Sequence, residues 1–129
     1  DAMALPPCHV LGQWYVKDDG ALWLQVYQRS GDLFLGVPFN LFSYAALVHM
    51  MAHLTHTRAG GLTYILGDAH IYESHVDAVR TQLARPTHAP PRFRVKDGCS
   101  VDTWEGWGLD EVVLDGYTCE GRLSAGMVA

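Results

Sequence analysis

Two kinds of hydrophobic pattern alternate along the chain. His9 to Val16 and Ala21 to Tyr27 are aromatic and β-branched stretches, and the intervening Lys17-Asp18-Asp19-Gly20 ends in the Asp-Gly pair that favours a tight hairpin. Leu22, Leu24 and Val26 alternate with Trp23, Gln25 and Tyr27, so the second strand has two different faces, and large side chains on both predict cover on both sides. Phe39 to Leu54 is nearly continuous in apolar residues compatible with a helix, which predicts a helix buried around its circumference. Pro38 stands near its start, where a missing N–H costs little. Gly60-Gly61 predicts a break, followed by a short buried strand over Leu62 to Leu66 that ends at Gly67-Asp68. Ser74 or His75 opens an amphipathic helix with Val76, Val79 and Leu83 inward and Asp77, Arg80 and Gln82 outward, closed by Pro86. Beyond a proline-broken loop over Thr87 to Pro91, Arg92 to Lys96 and Glu111 to Tyr117 read as strands. Between them Gly98 to Gly108 is loop, with Trp104 and Trp107 as packing anchors, and the tail from Thr118 has little pattern.

These elements fit one domain of 129 residues, 49% of them hydrophobic, enough to bury a core. A net charge of −5 argues against a nucleic-acid surface. No run approaches the ~18 apolar residues needed to span a bilayer, and no secretory-type leader opens the chain. Three cysteines without metal-type or redox-type spacing suit reduced thiols, so a cytoplasmic α/β protein is expected, with no membrane or nucleic-acid partner. The chain does not start with Met, and its first cysteine comes only eight residues in.

Several residues could carry chemistry. Cys8, in Ala4-Leu5-Pro6-Pro7-Cys8-His9, is a candidate nucleophile, although a lone cysteine is more often inert core filling. Arg29 and Ser30 place a forked cation beside a hydroxyl, a pair suited to a phosphate monoester; alone they would read as a surface ion pair. Asn40 could simply cap the helix, or its amide could donate to a pyrimidine O4 and accept from N3–H. His70 and Tyr72, after Gly67-Asp68-Ala69, would share one side of an extended segment. His49, His53 and His56 recur at helical spacing, but no acidic ligand accompanies them, so packed imidazoles are expected and no metal site.

The ordered set Pro6-Pro7-Cys8-His9, Tyr27-Gln28-Arg29-Ser30-Gly31-Asp32, Gly36-Val37-Pro38-Phe39-Asn40 and Gly67-Asp68-Ala69-His70-Ile71-Tyr72 resembles the thymidylate synthase family, which includes related pyrimidine hydroxymethylases. The resemblance runs from Asp1 to about Val95 and continues more loosely to Ala129. It implies an α/β fold of the α+β type, a mixed twisted sheet with a central buried helix, and a homodimer formed through the sheet face. It also implies that residues 1–129 are the carboxyl-terminal catalytic part of a single domain, with an amino-terminal segment of the same subunit as a further partner. The implied reaction is reductive methylation of dUMP to dTMP, with 5,10-methylenetetrahydrofolate as cosubstrate.

In that scheme Cys8 is the nucleophile, aided by His9, Arg29 and Asn40. Gln28, Arg29, Ser30, Asp32, Asn40, His70 and Tyr72 bind dUMP, and Asp32, Gly36 and Phe39 line the folate. Leu5 matches an apolar residue of the folate side, while Cys99 and Cys119 stay structural. Asn40 stands where the related dCMP hydroxymethylases have aspartate, which favours uracil over cytosine. Phe42 and Ser74 replace a smaller Ala and an Asn, and Tyr117-Thr118-Cys119-Glu120-Gly121-Arg122 replaces a Pro-His-Pro stretch, a change that bears on carboxyl-terminal closure. Two alternatives stay open: a hydroxymethylase sharing the covalent steps, and an inactive dimerisation module.

Overall fold

A computed structural model describes residues 6–128 of the chain. Among the described residues are five strands and two α-helices: β1 (His9–Val16), β2 (Ala21–Asp32), α1 (Gly36–Leu54), β3 (Arg58–His70), α2 (Val76–Leu83), β4 (Arg92–Val95) and β5 (Val112–Asp115). β1 and β2 form the predicted hairpin. Gly20 takes φ 76° at its tip, Gly20 N–H donates to Lys17 O, and Asp19 Oδ1 accepts from Ala21 N–H at 3.0 Å. β2 then pairs in parallel with β3 after the chain crosses over through α1, giving a mixed sheet in the order β1-β2-β3. β4 and β5 make a separate antiparallel pair. The fold is therefore α+β with a mixed sheet, as expected.

The core lies between β2, β3 and one stripe of α1. Leu24, Val26 and Val48 are buried together, with Tyr44, Ala59, Leu62 and Tyr64 packed against them. Only this face of β2 is covered. Gln25, Tyr27 and Arg29 on the opposite face are exposed, so the described residues do not supply the expected cover on both sides. The expectation for the helix needs the same correction. Val37, Val48 and Ala52 are buried, but Phe39 is 73% exposed and Leu41, Phe42 and Leu47 also face outward. An apolar circumference records every surface that can be covered; this chain covers one.

Gly60-Gly61 does not break the chain. Both glycines lie inside β3, which is longer than predicted because Trp23 of β2 lays its indole over them: a Cβ on Gly60 would stand 2.5 Å from Trp23 Nε1. α1 begins at Gly36 rather than Phe39, so Pro38 is its third residue and Asn40 is inside the helix instead of capping it. A single 3₁₀ turn, Glu73–His75, precedes α2. Leu83 at the end of α2 is 81% exposed, not inward. β4 and β5 are each slightly shorter than expected. Trp104 is over half exposed and anchors little. Trp107 does pack, edge-on to His53 with centroids 6.1 Å apart, and its Nε1–H donates to Thr103 Oγ1.

Candidate functional site

The carboxyl-terminal ends of the parallel strands β2 and β3 lie beside the start of α1 and the residues leading into β1, and the predicted site residues collect there. Gln28 of β2 is opposite His9 of β1, Ser30 is opposite Asp68, and Asp32 is opposite His70. Crevices at the carboxyl ends of parallel strands are common ligand sites, because converging loops supply polar groups there.

Cys8 is half-buried at the mouth of β1, and its carbonyl accepts from Arg29 N–H at 2.9 Å. The Arg29 guanidinium folds back over the same segment. Nε–H donates to Pro7 O at 3.1 Å and Nη2–H to Pro6 O at 2.8 Å, so the fork clamps the two peptides that precede the thiol. Among the described residues the guanidinium's partners are these carbonyls rather than a carboxylate, and the fork has further N–H groups that could meet an anion. His9 lies next to the cysteine, and its Nδ1 is 3.0 Å from Tyr44 Oη of α1. Leu5 lies outside the described residues.

A buried amide network holds Asn40. Gln28, almost fully buried, donates from Nε2 to Ser30 O at 2.6 Å, while its Oε1 accepts from Asn40 Nδ2 at 3.0 Å and from the Tyr64 hydroxyl. Because an Asn40 N–H is committed to Gln28, the amide is fixed, leaving its other hydrogen and Oδ1 for a ligand. Burial pushes the Tyr64 phenol above its ordinary pKa, and the nearby Tyr44 adds to this while Asn40 opposes it.

Asp32 ends β2. Its Oδ1 accepts from Phe34 N–H at 2.9 Å, closing the turn into α1. Gly31 is required just before it, since a Cβ there would stand 2.9 Å from Leu66 and Val37. His70 ends β3, and the Tyr72 ring meets it edge-on with centroids 5.0 Å apart, so the two predicted sugar-side residues are neighbours. Phe39 and Gly36 are less engaged: the Phe39 ring is mostly exposed, and a Cβ built on Gly36 would meet only Asp32 Cβ, at 3.9 Å.

Three residues escaped sequence reasoning. Tyr44 and Tyr64 reach the site through His9 and Gln28, and the available signal was spacing, since Tyr44 follows Asn40 by one helical turn. His75, in Glu73-Ser74-His75, is fully buried against Tyr72 and Phe34. Of the three spaced histidines, two pack: His53 Nε2 bonds Cys99 O and His49 lies against Phe93, whereas His56 lies beyond the end of α1, exposed, in a left-handed turn at φ 53°. Among the described residues no cluster of histidines, cysteines and carboxylates could hold a metal ion, and no helix is long and apolar enough to cross a membrane.

The family model for thymidylate synthase matches residues 1–129. Over 117 residues the chain is 49% identical to a thymidylate synthase of Mycoplasma genitalium, covering 91% of this chain and 39% of that protein. It is 46% identical over 115 residues to the enzyme of Ascaris suum, covering 89% and 38% respectively. The solved thermostable thymidylate synthase A of Bacillus subtilis superposes with a TM-score of 0.85 at 36% identity, over 95% of this chain and 43% of that one. The chain thus spans about two fifths of the length of these relatives.

Proposed function

Because the chain belongs to the thymidylate synthase family, we propose that it carries the nucleophile half of a site that converts dUMP to dTMP with 5,10-methylenetetrahydrofolate. In this reading residues 1–129 form the carboxyl-terminal catalytic part of a cytoplasmic subunit whose remaining part covers the outer stripe of α1. Two subunits then pair through the open face of the sheet.

The observation that carries the proposal is the clamp of Arg29 on Pro6 and Pro7. It presents a cation to a phosphate and fixes the backbone of Cys8 in one step. The Cys8 thiolate adds to C6 of the pyrimidine, which turns C5 into an enolate-like carbon. C5 attacks the methylene of the cosubstrate; loss of the C5 proton then breaks the bond between that methylene and the pterin nitrogen, leaving an exocyclic methylene beside free tetrahydrofolate. Hydride transfer from the tetrahydropterin to that methylene completes the methyl group. Release of the thiolate from C6 restores the ring and gives dTMP and dihydrofolate. Asn40, oriented by Gln28, meets O4 and N3–H and stabilises charge developing at O4. His9, paired with Tyr44, orders water beside the thiol. Ser30 joins Arg29 at the phosphate, His70 and Tyr72 hold the 3′-hydroxyl, and Asp32, Gly36 and Phe39 line the folate.

Incubating the subunit with dUMP and methylenetetrahydrofolate and weighing the product is the direct test. Gain of CH₂ supports the synthase reading. Gain of CH₂O, by water capture of the exocyclic methylene, supports the hydroxymethylase reading, which the altered tail over Tyr117 to Arg122 keeps in play. Cys8→Ala removes the covalent step, so turnover and tritium release from [5-³H]dUMP should fall by at least about a thousandfold, the scale of losing a nucleophile. Unchanged release would overturn the scheme.

A further inference from the structure

Strand alternation alone would turn His9 away from the helix. Leu11, Gln13 and Tyr15 of β1 stand opposite Tyr27, Gln25 and Trp23 on the open face of the sheet, and His9 has the same parity. A β-bulge between His9 and Leu11 shifts the register, so His9 stands opposite Gln28 instead, which belongs with Leu24 and Val26 to the helix-side row of β2. An extra residue of this kind re-aims a side chain, and such bulges recur beside active sites. Here it brings the imidazole that follows Cys8 to Tyr44 of α1. The two ring centroids are 5.5 Å apart, and His9 Nδ1 is 3.0 Å from Tyr44 Oη.

The partner on the helix is itself held in place. Tyr44 packs against the buried cluster of Leu24, Val26 and Val48, and its ring meets that of Tyr64 with centroids 5.7 Å apart. A phenol hydroxyl has one hydrogen, and among the described residues His9 Nδ1 is the one hydrogen-bond partner of Tyr44 Oη. An imidazole lone pair is a better acceptor than a phenol oxygen, whose electrons are drawn into the ring. The O–H therefore donates to Nδ1. The reverse arrangement would use the poorer acceptor and leave the phenol hydrogen without a protein partner. A neutral imidazole that accepts at Nδ1 carries its hydrogen on Nε2, and Nε2 of His9 has no hydrogen-bond partner among the described residues.

We propose that Tyr44 is a positioning residue that sets the tautomer of His9, holding the hydrogen on Nε2 so that the imidazole beside the nucleophile acts as a donor. A ring held this way has no lone pair to spare. Nε2–H gives a hydrogen bond to water or to a substrate oxygen, and Nδ1 is occupied by Tyr44, so neither nitrogen takes the proton of the Cys8 thiol, which goes to solvent instead. The inference rests on the reading of Cys8 as the nucleophile, since only then does the tautomer of its neighbour bear on turnover.

Long-range ¹H–¹⁵N spectra of the full chain, labelled at histidine and without substrate, read the tautomer directly. The His9 signal, assigned as the one lost in His9→Gln, should show the neutral ring with its hydrogen on Nε2 and a bare Nδ1. In Tyr44→Phe, which keeps the ring packing and removes the hydroxyl, the Nδ1–H form should appear beside it. A hydrogen on Nδ1 in the unaltered chain, or a tautomer ratio that Tyr44→Phe leaves unchanged, overturns the assignment. Turnover gives a second reading. Tyr44→Phe should lower kcat about fivefold, the scale of one modest hydrogen bond, with KM for dUMP changed by less than about twofold. His9→Gln sets an amide N–H near the position of Nε2 and leaves the Nδ1 position empty, so adding Tyr44→Phe to it should not lower kcat further. An equal loss in both backgrounds would mean that Tyr44 acts through packing alone, and the coupling would be gone. Were the subunit to make no dTMP, the spectra would still decide the tautomer, while product analysis decides the synthase reading by itself.

Discussion

Trp23 dictates what two residues on the neighbouring strand have to be. A Cβ added to Gly61 would find Trp23 ring carbons at 2.7, 2.9 and 3.1 Å, with no other atom nearer. Gly61→Ala should therefore cost about 1–3 kcal/mol, the usual penalty of overpacking, read from urea midpoints. In a Trp23→Ala background the same change should be neutral or slightly stabilising, because alanine restricts the unfolded chain more than glycine does. An equal penalty in both backgrounds would place the strain elsewhere. The indole also explains why a Gly-Gly pair that looks like a break is strand: the reason for the glycines lies across the sheet, where local sequence does not record it. The candidate site residues were far more legible. Cys8, Arg29 and Asn40 are marked by residue type and order, whereas the amide that fixes Asn40, the phenols behind it and the buried His75 become visible only when β2, β3 and α1 are assembled.

At the level of elements, the β1–β2 hairpin is the most completely legible piece, since its turn chemistry is local. Asp19 does two jobs there: Oδ1 accepts from Ala21 N–H, and Oδ2 accepts from Arg58 Nη2 at 2.8 Å, tying the tip to the start of β3. The Ala21 backbone bond, and after it the Arg58 and Lys17 charges, hold the Asp19 carboxyl below its ordinary pKa of 3.8 against the opposing effect of desolvation. A carboxyl depressed in the folded state contributes stability above the unfolded value and loses it as pH falls through the folded one. Asp19→Asn should thus be less stable than the unaltered chain near pH 6, and the gap should close as pH drops below ~4. Urea midpoints of both proteins across that range check it; a gap independent of pH would remove the carboxylate from the account. The helix was legible in existence and not in burial. From Leu41 to Ala52 the apolar positions wind around every side of α1, so periodicity could not say that only the stripe of Val37, Val48 and Ala52 meets the sheet.

The uncovered face of the sheet shows what the whole molecule is built to meet. Strand register lines up three rows across it: Leu11 with Tyr27 and Ile65, Gln13 with Gln25 and Thr63, and Tyr15 with Trp23 and Gly61. Tyr15, Leu11, Tyr27 and Ile65 are all well exposed. Over these rows Lys17 lies 3.8 Å from the Trp23 ring centroid, spreading its stem along the aromatic surface, while Arg29, next along this face of β2, turns its guanidinium to Pro6 and Pro7. An open, nearly uncharged sheet face of this kind is rare on a monomer and matches the uncharged centre of a stable interface. If two copies pair there, a lysine placed in a row must be desolvated opposite its own symmetry mate, because a two-fold interface presents each substitution twice. Ile65→Lys should therefore weaken the dimer by at least about a hundredfold in Kd, near 2.7 kcal/mol, as sedimentation equilibrium would read it. Folding should survive, since Ile65 is already exposed within one chain. Phe42→Lys, on the outer stripe of α1, is the control and should leave the dimer intact. The reverse pattern, Phe42→Lys dissociating the dimer and Ile65→Lys not, would move the interface to the helix, and a chain monomeric at tens of micromolar would leave the sheet rows to some other cover.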